Sequence, residues 1–143
     1  MKTILIADDE MSIRILVQAT LESPDARIVQ AMNGNEALQF AIAELPDAII
    51  LDWMMPGLSG VDVLKALRLR TDTARIPVIM LTARSQGKDQ SNAMKLGAQS
   101  FLMKPFSPLE LLKILQEVMQ SPLPGRGLEN GTAKAAKVSA QSV

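Results

Sequence analysis

The sequence contains no cysteine, which excludes disulfides, thiol catalysis and cysteine-ligated zinc. Histidine is absent as well, so imidazole acid–base chemistry, histidine metal ligands and phosphohistidine are all ruled out. No single sign of charge dominates. Lysine plus arginine and aspartate plus glutamate stand at 15 each, and nothing in that balance points to nucleic acid or an anionic membrane. Long apolar runs are missing too. The opening MKTILIADDE has four apolar residues before two aspartates, too short for a signal peptide or a membrane span. The default expectation is a cytoplasmic protein with no membrane insertion. Any chemistry must come from carboxylates, hydroxyls, lysine, arginine, backbone groups or a bound ion.

What is present is the material of one globular domain. The 143 residues are 48% hydrophobic and 21% charged, enough to bury a sizeable core. Apolar, β-branched runs at residues 3–7, 26–31, 48–51, 77–81 and 100–103 alternate with segments of helical period. ILIA and VIMLTA are continuous rather than alternating, as expected of strands buried on both faces. Between the runs, Ile13, Leu16, Val17 and Leu21 share a helical face, as do Leu38, Ala41, Ile42 and Leu45. Gly60, Leu64 and Leu67 form a third such face, and Leu111, Ile114, Leu115 and Val118 another. A shorter helix around residues 90–96 ends at Gly97, and Ser107-Pro108-Leu109-Glu110 reads as a helix start with a capping box. Five strands alternating with five helices predict a doubly wound, parallel α/β sheet.

The pattern stops near Gln120. Residues 1–120 carry 12 basic and 14 acidic side chains, whereas the remaining 23 residues carry three and one. Rich in Pro, Gly and Ala, residues 121–143 read as a flexible or disordered tail without an output domain.

Ligands of an open parallel sheet bind beyond the carboxyl ends of its strands, so the residues ending each strand matter most. The first run ends in Asp8-Asp9-Glu10, the third in Asp52, the fourth in Thr82 and the fifth in Lys104-Pro105. The second ends in Met32-Asn33-Gly34, read as a plain turn. Each residue alone has an ordinary reading: Asp8 or Asp9 as a helix cap, with Ser12 as an alternative cap, and Lys104 as a solvated lysine. Together on one rim they describe a site. Three carboxylates in one place cannot all stay ionised without a cation, and hard oxygen donors suit Mg²⁺ or Mn²⁺. Asp52 beside such an ion is a plausible acceptor for phosphoryl transfer, with Lys104 and Thr82 placed to meet phosphoryl oxygens.

ILIADDE, LDWMMPGLSG, IPVIMLTA and SFLMKPF, in this order and spacing, resemble a response-regulator receiver domain of two-component signalling, of the chemotaxis-regulator type. The resemblance spans about 120 residues and implies a five-stranded sheet of order 2-1-3-4-5 with five flanking helices. It implies that Asp52 is the phosphoacceptor and that Asp8, Asp9, Asp52 and the Met54 backbone carbonyl hold Mg²⁺. It further implies that Thr82 and Lys104 sense the phosphoryl group, that Lys104-Pro105 is a cis bond and that Phe101 is the switch aromatic. Met54 and Arg84 flank the path of an attacking water, which an apolar and a long side chain should hinder. The implied partners are a sensor histidine kinase or histidine phosphotransfer protein and a downstream protein target, with no direct contact to nucleic acid. The signalling face would be the fourth helix, fifth strand and fifth helix, roughly residues 88–119, and phosphorylation-dependent dimers are compatible with it. Such a protein is not an enzyme beyond its own phosphorylation and slow dephosphorylation.

Three other readings share parts of this pattern. The chain is expected to be a stand-alone receiver, the alternative being the receiver portion of a longer regulator. A flavodoxin-like electron carrier needs a phosphate-binding loop where Asp-Asp-Glu stands, and more aromatic residues than 3%. An aspartate-nucleophile phosphatase usually has a second Asp where Met54 stands.

Overall fold

The computed structural model describes residues 1–83 and 94–120. Five strands form one parallel sheet: β1 (Lys2–Ala7), β2 (Ala26–Ala31), β3 (Ala48–Asp52), β4 (Val78–Ala83) and β5 (Ser100–Lys104). Their spatial order is β2-β1-β3-β4-β5, which bears out both the parallel sheet and the order 2-1-3-4-5. Four helices lie among the described residues: α1 (Met11–Leu21), α2 (Gly34–Glu44), α3 (Gly60–Leu69) and α4 (Pro108–Gln120). The helix that the sequence places fifth is therefore α4 here. Most of the segment expected as a helix around residues 90–96 falls outside the described residues, as do Arg84 and residues 121–143.

The sheet separates two cores, because successive side chains of a strand point to opposite faces. Ile4 and Ile6, Ile50, Ile79 and Leu81, and Leu102 meet Val17 and Leu21 of α1 and Leu111, Leu115 and Val118 of α4. On the other face Leu5, Ile49, Leu51 and Met80 pack against Ala37 and Ala41 of α2 and Val63, Leu64 and Leu67 of α3. Each such large side chain contributes about 1.5–3 kcal/mol on burial, so the central strands form a rigid base for whatever projects beyond them. Among the described residues no helix is long and apolar enough to cross a membrane.

Local signals explain where the elements stop. Ser107 Oγ accepts from the Glu110 N–H (3.1 Å) and Glu110 Oε1 accepts from the Ser107 N–H (2.9 Å), closing a reciprocal capping box. Gly97 takes a positive φ of 107°, a conformation that suits glycine. Three sequence expectations need correction. Ser12 is not a cap: α1 begins at Met11 with Glu10 at the N-cap and no side-chain cap bond, because Asp8 engages the Glu10 N–H instead. Asn33 is more than a turn residue, since its side chain accepts from the Glu36 N–H at 2.8 Å and starts α2. Leu45 leaves the buried face of α2, half exposed and left-handed at φ 45°, because Pro46 disfavours helical backbone in the residue before it.

Candidate functional site

Strand register brings the acids together. Ala7 pairs with Leu51 across β1 and β3, so the residues that follow, Asp8 and Asp52, emerge side by side at the carboxyl rim. Asp8 is wholly buried, Asp52 nearly so, and Asp9 exposed. One carboxylate oxygen from each of the three lies within 4.8 Å of the others.

Lys104 reaches this cluster from the far side. Neighbouring strands stand about 4.8 Å apart, and β3 and β4 separate β5 from β1, so only a long side chain laid across the sheet end spans the gap. Its Nζ lies 2.8 Å from Asp8 Oδ2, 3.3 Å from Asp52 Oδ1 and 3.1 Å from Glu10 Oε1. The Lys104–Pro105 peptide that follows is cis.

Burial pushes the Asp52 carboxyl up to about 6, reinforced by the charge of Asp8 and opposed by Lys104. Burial alone would lower the Lys104 ammonium, but the hydrogen bond to Asp8 and the charges of Asp52 and Asp8 outweigh it and hold the group above the usual lysine range. Lys104 is thus a permanent cation. Among the described residues a single lysine faces Asp8, Asp9, Asp52 and Glu10, so this part of the rim is anionic. That donor set, hard oxygens with excess negative charge, fits a divalent cation such as Mg²⁺.

Thr82 is completely buried at the end of β4, and its Oγ1 has no hydrogen-bond partner among the described residues. A buried hydroxyl without a partner is uncommon and calls for an explanation; a ligand oxygen at the rim would provide one. Pairing of Met80 with Phe101 and of Thr82 with Met103 puts these four side chains on one face of the sheet. Phe101 is partly buried there against the α2–α3 core. Met54, two residues beyond Asp52, has 63% of its surface exposed.

The connection from β3 to α3 is tight. Trp53 donates its N–H to the Leu81 carbonyl and accepts from the Gly60 N–H, both at 2.9 Å. A Cβ on Gly60 would stand 2.0 Å from the Asp52 carbonyl oxygen, so α3 starts against the backbone of the acid itself.

Two residues near the rim escaped sequence reasoning. Glu10 was visible only as the third acid of a run, and its pairing with Lys104 depends on a strand 94 residues away. Arg14 donates to the Asp8 carbonyl oxygen at 2.8 Å. Nothing in its spacing announced that contact.

This architecture has known counterparts. The family model of the response regulator receiver domain matches residues 4–116. The chain is 39% identical over 124 residues to the phosphate regulon transcriptional regulatory protein PhoB of Pseudomonas aeruginosa, covering 87% of this chain and 54% of that protein. It is 43% identical over 110 residues to the alkaline phosphatase synthesis transcriptional regulatory protein PhoP of Bacillus subtilis, covering 77% and 45%. The chain thus spans about half the length of these curated relatives. Among solved structures it resembles the chemotaxis protein CheY4 of Vibrio cholerae, with a TM-score of 0.77, 36% identity and coverage of 82% and 98%. It also resembles the receiver domain of the Pseudomonas aeruginosa sensor histidine kinase PA1611, with a magnesium ion coordinated in its active site cleft. That match has a TM-score of 0.76, 31% identity and coverage of 84% and 98%. By sequence and by fold, the chain belongs to the response regulator receiver domain family.

Proposed function

We propose that this receiver domain is a phosphorylation-activated switch that accepts a phosphoryl group on Asp52. The observation that carries the reading is Lys104, a fixed cation bridging Asp8 and Asp52 at the rim of the sheet. An ionised Asp52 oxygen attacks the phosphorus of a phosphohistidine on a sensor kinase or phosphotransfer protein. The P–N bond breaks as the new O–P bond forms, and the imidazole leaves with the bonding pair. Asp8, Asp9, Asp52 and the Met54 carbonyl are the residues that would hold Mg²⁺, or Mn²⁺. When bound, that ion supplies charge neutralisation for phosphoryl oxygens. Lys104 holds its proton throughout and offers its ammonium to one such oxygen. The Thr82 hydroxyl, buried and unpartnered among the described residues, donates to another, and Phe101 on the same sheet face repacks in response. The exposed side chain of Met54 stands where water approaches the phosphorylated carboxylate.

The reading is tested by incubating the full chain with a small acyl phosphate, and with a panel of phosphorylated histidine kinases, with and without Mg²⁺. Mg²⁺-dependent gain of one hydroxylamine-sensitive phosphoryl group, abolished in Asp52→Asn, is the expected result. Equal labelling of Asp52→Asn overturns it. Capture of proteins on the phosphorylated form then identifies the kinase and the downstream target, and the mass of that form reports any dimer. Slower hydrolysis in the wild type than in Met54→Asn or Arg84→Ala is expected if these side chains hinder water.

The curated relatives favour a second reading of the output. They are named as transcriptional regulators and are about twice as long as the matched region, consistent with a receiver that forms part of a longer, DNA-binding regulator. Sequencing through the native locus distinguishes this from a stand-alone cytoplasmic receiver acting by protein contacts alone.

A further inference from the structure

The chemistry assigned to the rim leaves Arg14 unused, although it touches the acid cluster directly. Arg14 Nη1 donates to the Asp8 carbonyl oxygen (2.8 Å), and its Nε donates to Gln30 Oε1 on β2 (3.2 Å). Gln30 donates in turn to Gln18 Oε1, one turn along α1, and Gln18 donates to Glu22 Oε2 at 3.2 Å. The guanidinium is therefore held at both ends of its fork, by the site and by the neighbouring strand.

The carbonyl that it grips belongs to the peptide unit joining Asp8 to Asp9. A peptide unit is planar, so fixing its oxygen fixes the direction in which Asp9 departs. Asp8 itself is anchored elsewhere: its N–H donates to the Ala31 carbonyl (3.1 Å) and its Oδ1 accepts from the Glu10 N–H (2.9 Å). Asp9 has no such support. It is exposed, and among the described residues no hydrogen bond or ion pair holds its carboxylate. The placement of Asp9 relative to Asp8 consequently depends on the backbone between them, and Arg14 controls that backbone.

We infer that Arg14, locked by Gln30, is a positioning residue for divalent-cation capture, setting the spacing of Asp8 and Asp9 through the peptide plane that links them. The inference rests on the reading that these acids hold the ion. Its sign separates it from a simple charge effect. A cation near the site repels a second cation, so loss of charge alone tightens Mg²⁺ binding, whereas loss of the fixed peptide plane weakens it.

The experiment is a Mg²⁺ titration of the full chain, followed by the fluorescence of Trp53, the one tryptophan, adjacent to Asp52. Arg14→Lys retains the charge but cannot span both oxygens, and outer partners of metal ligands are worth 10- to 100-fold in affinity. A Kd about tenfold above wild type is expected for Arg14→Lys and Arg14→Gln, with a smaller rise for Gln30→Ala. The double variant Arg14→Lys with Gln30→Ala is no weaker than Arg14→Lys alone, because both remove one linkage. Saturating Mg²⁺ restores the wild-type rate of labelling by a small acyl phosphate, a rescue that a general folding defect would not show. Urea unfolding without metal verifies that each variant is folded, and Arg14→Lys and Gln30→Ala carry the test if Arg14→Gln is not. Binding by Arg14→Lys within twofold of wild type, or tighter binding by Arg14→Gln, overturns the inference alone. A wild-type protein that binds no Mg²⁺ overturns the underlying reading with it.

Discussion

Lys104 Nζ lies 2.8 Å from Asp8 Oδ2, an ion pair drawn from one strand of the sheet to another across two intervening strands. Asp8 is wholly enclosed, and removing one partner of a buried pair leaves the other charge uncompensated. Lys104→Met should therefore destabilise the metal-free protein by about 3 kcal/mol at pH 8. The loss should shrink toward pH 5, where Asp52, pushed up to about 6 by burial, takes up a proton. Urea unfolding at the two pH values measures both effects, and added Mg²⁺ should recover part of the loss. A variant as stable as wild type at pH 8 would show that water, rather than Lys104, compensates Asp8.

Asp52→Asn should act in the opposite direction. Its folded pKa of about 6 lies above the ordinary 3.8, so ionisation is harder in the folded state than in the unfolded chain. The associated stability is fully present below pH 3.8 and is lost as pH rises through about 6. Two units correspond to about 3 kcal/mol, an upper bound on what the wild type forgoes above pH 7. Asparagine cannot ionise and escapes that loss. Without Mg²⁺ the variant should be the more stable protein at pH 8, with the difference fading near pH 4. A difference that is constant with pH would refute the assignment of the raised pKa to Asp52.

How much of this was legible in the sequence depended on the range of each interaction. The continuous apolar runs ILIA and VIMLTA became central strands because burial on both faces leaves its mark in consecutive residues. Ser107 with Glu110 was readable for a similar reason, since a capping box spans one helical turn. Strand-end position picked out Asp8, Asp9, Asp52, Thr82 and Lys104, and the fold gathers the three acids and the lysine while burying Thr82 beside them. Ser12 failed as a cap because Asp8 bonds to the Glu10 backbone first, a competition that residue type cannot decide. Glu10 and Arg14 stayed hidden because their partners are fixed by strand register and by a helix packing against β2, neither of which spacing reveals. Arg84 and the tail lie outside the described residues, so the expectations for them stand on sequence alone.

Gly60→Ala should disturb Asp52, the proposed phosphoacceptor, without altering a charged group. Its Cβ would lie 2.0 Å from the Asp52 carbonyl oxygen, and backbone cannot step aside as a flexible side chain can. Overpacking of this kind costs about 1–3 kcal/mol or more. Gly34→Ala is the matching control, because its Cβ would meet the Leu58 carbonyl oxygen at 1.9 Å rather than the backbone of Asp52. Both should lower the urea midpoint, but only Gly60→Ala should also slow labelling by an acyl phosphate at saturating Mg²⁺. Equal labelling rates in the two variants would mean that the start of α3 does not position Asp52.

Thr82→Val separates stability from signalling. The hydroxyl is buried without a partner among the described residues, so it carries a desolvation cost in the resting protein that valine, with nearly the same shape, does not. The resting variant should therefore be as stable as wild type or more stable by about 1 kcal/mol. On the proposed function phosphorylation of Asp52 reverses the comparison, because only threonine could donate to a phosphoryl oxygen there. The variant should still take up phosphate, as read by mass, while the change in Trp53 fluorescence on labelling falls well below that of wild type. A marked loss of resting stability would instead reveal that the hydroxyl already has a partner, and would remove the reason for aiming it at the phosphoryl group.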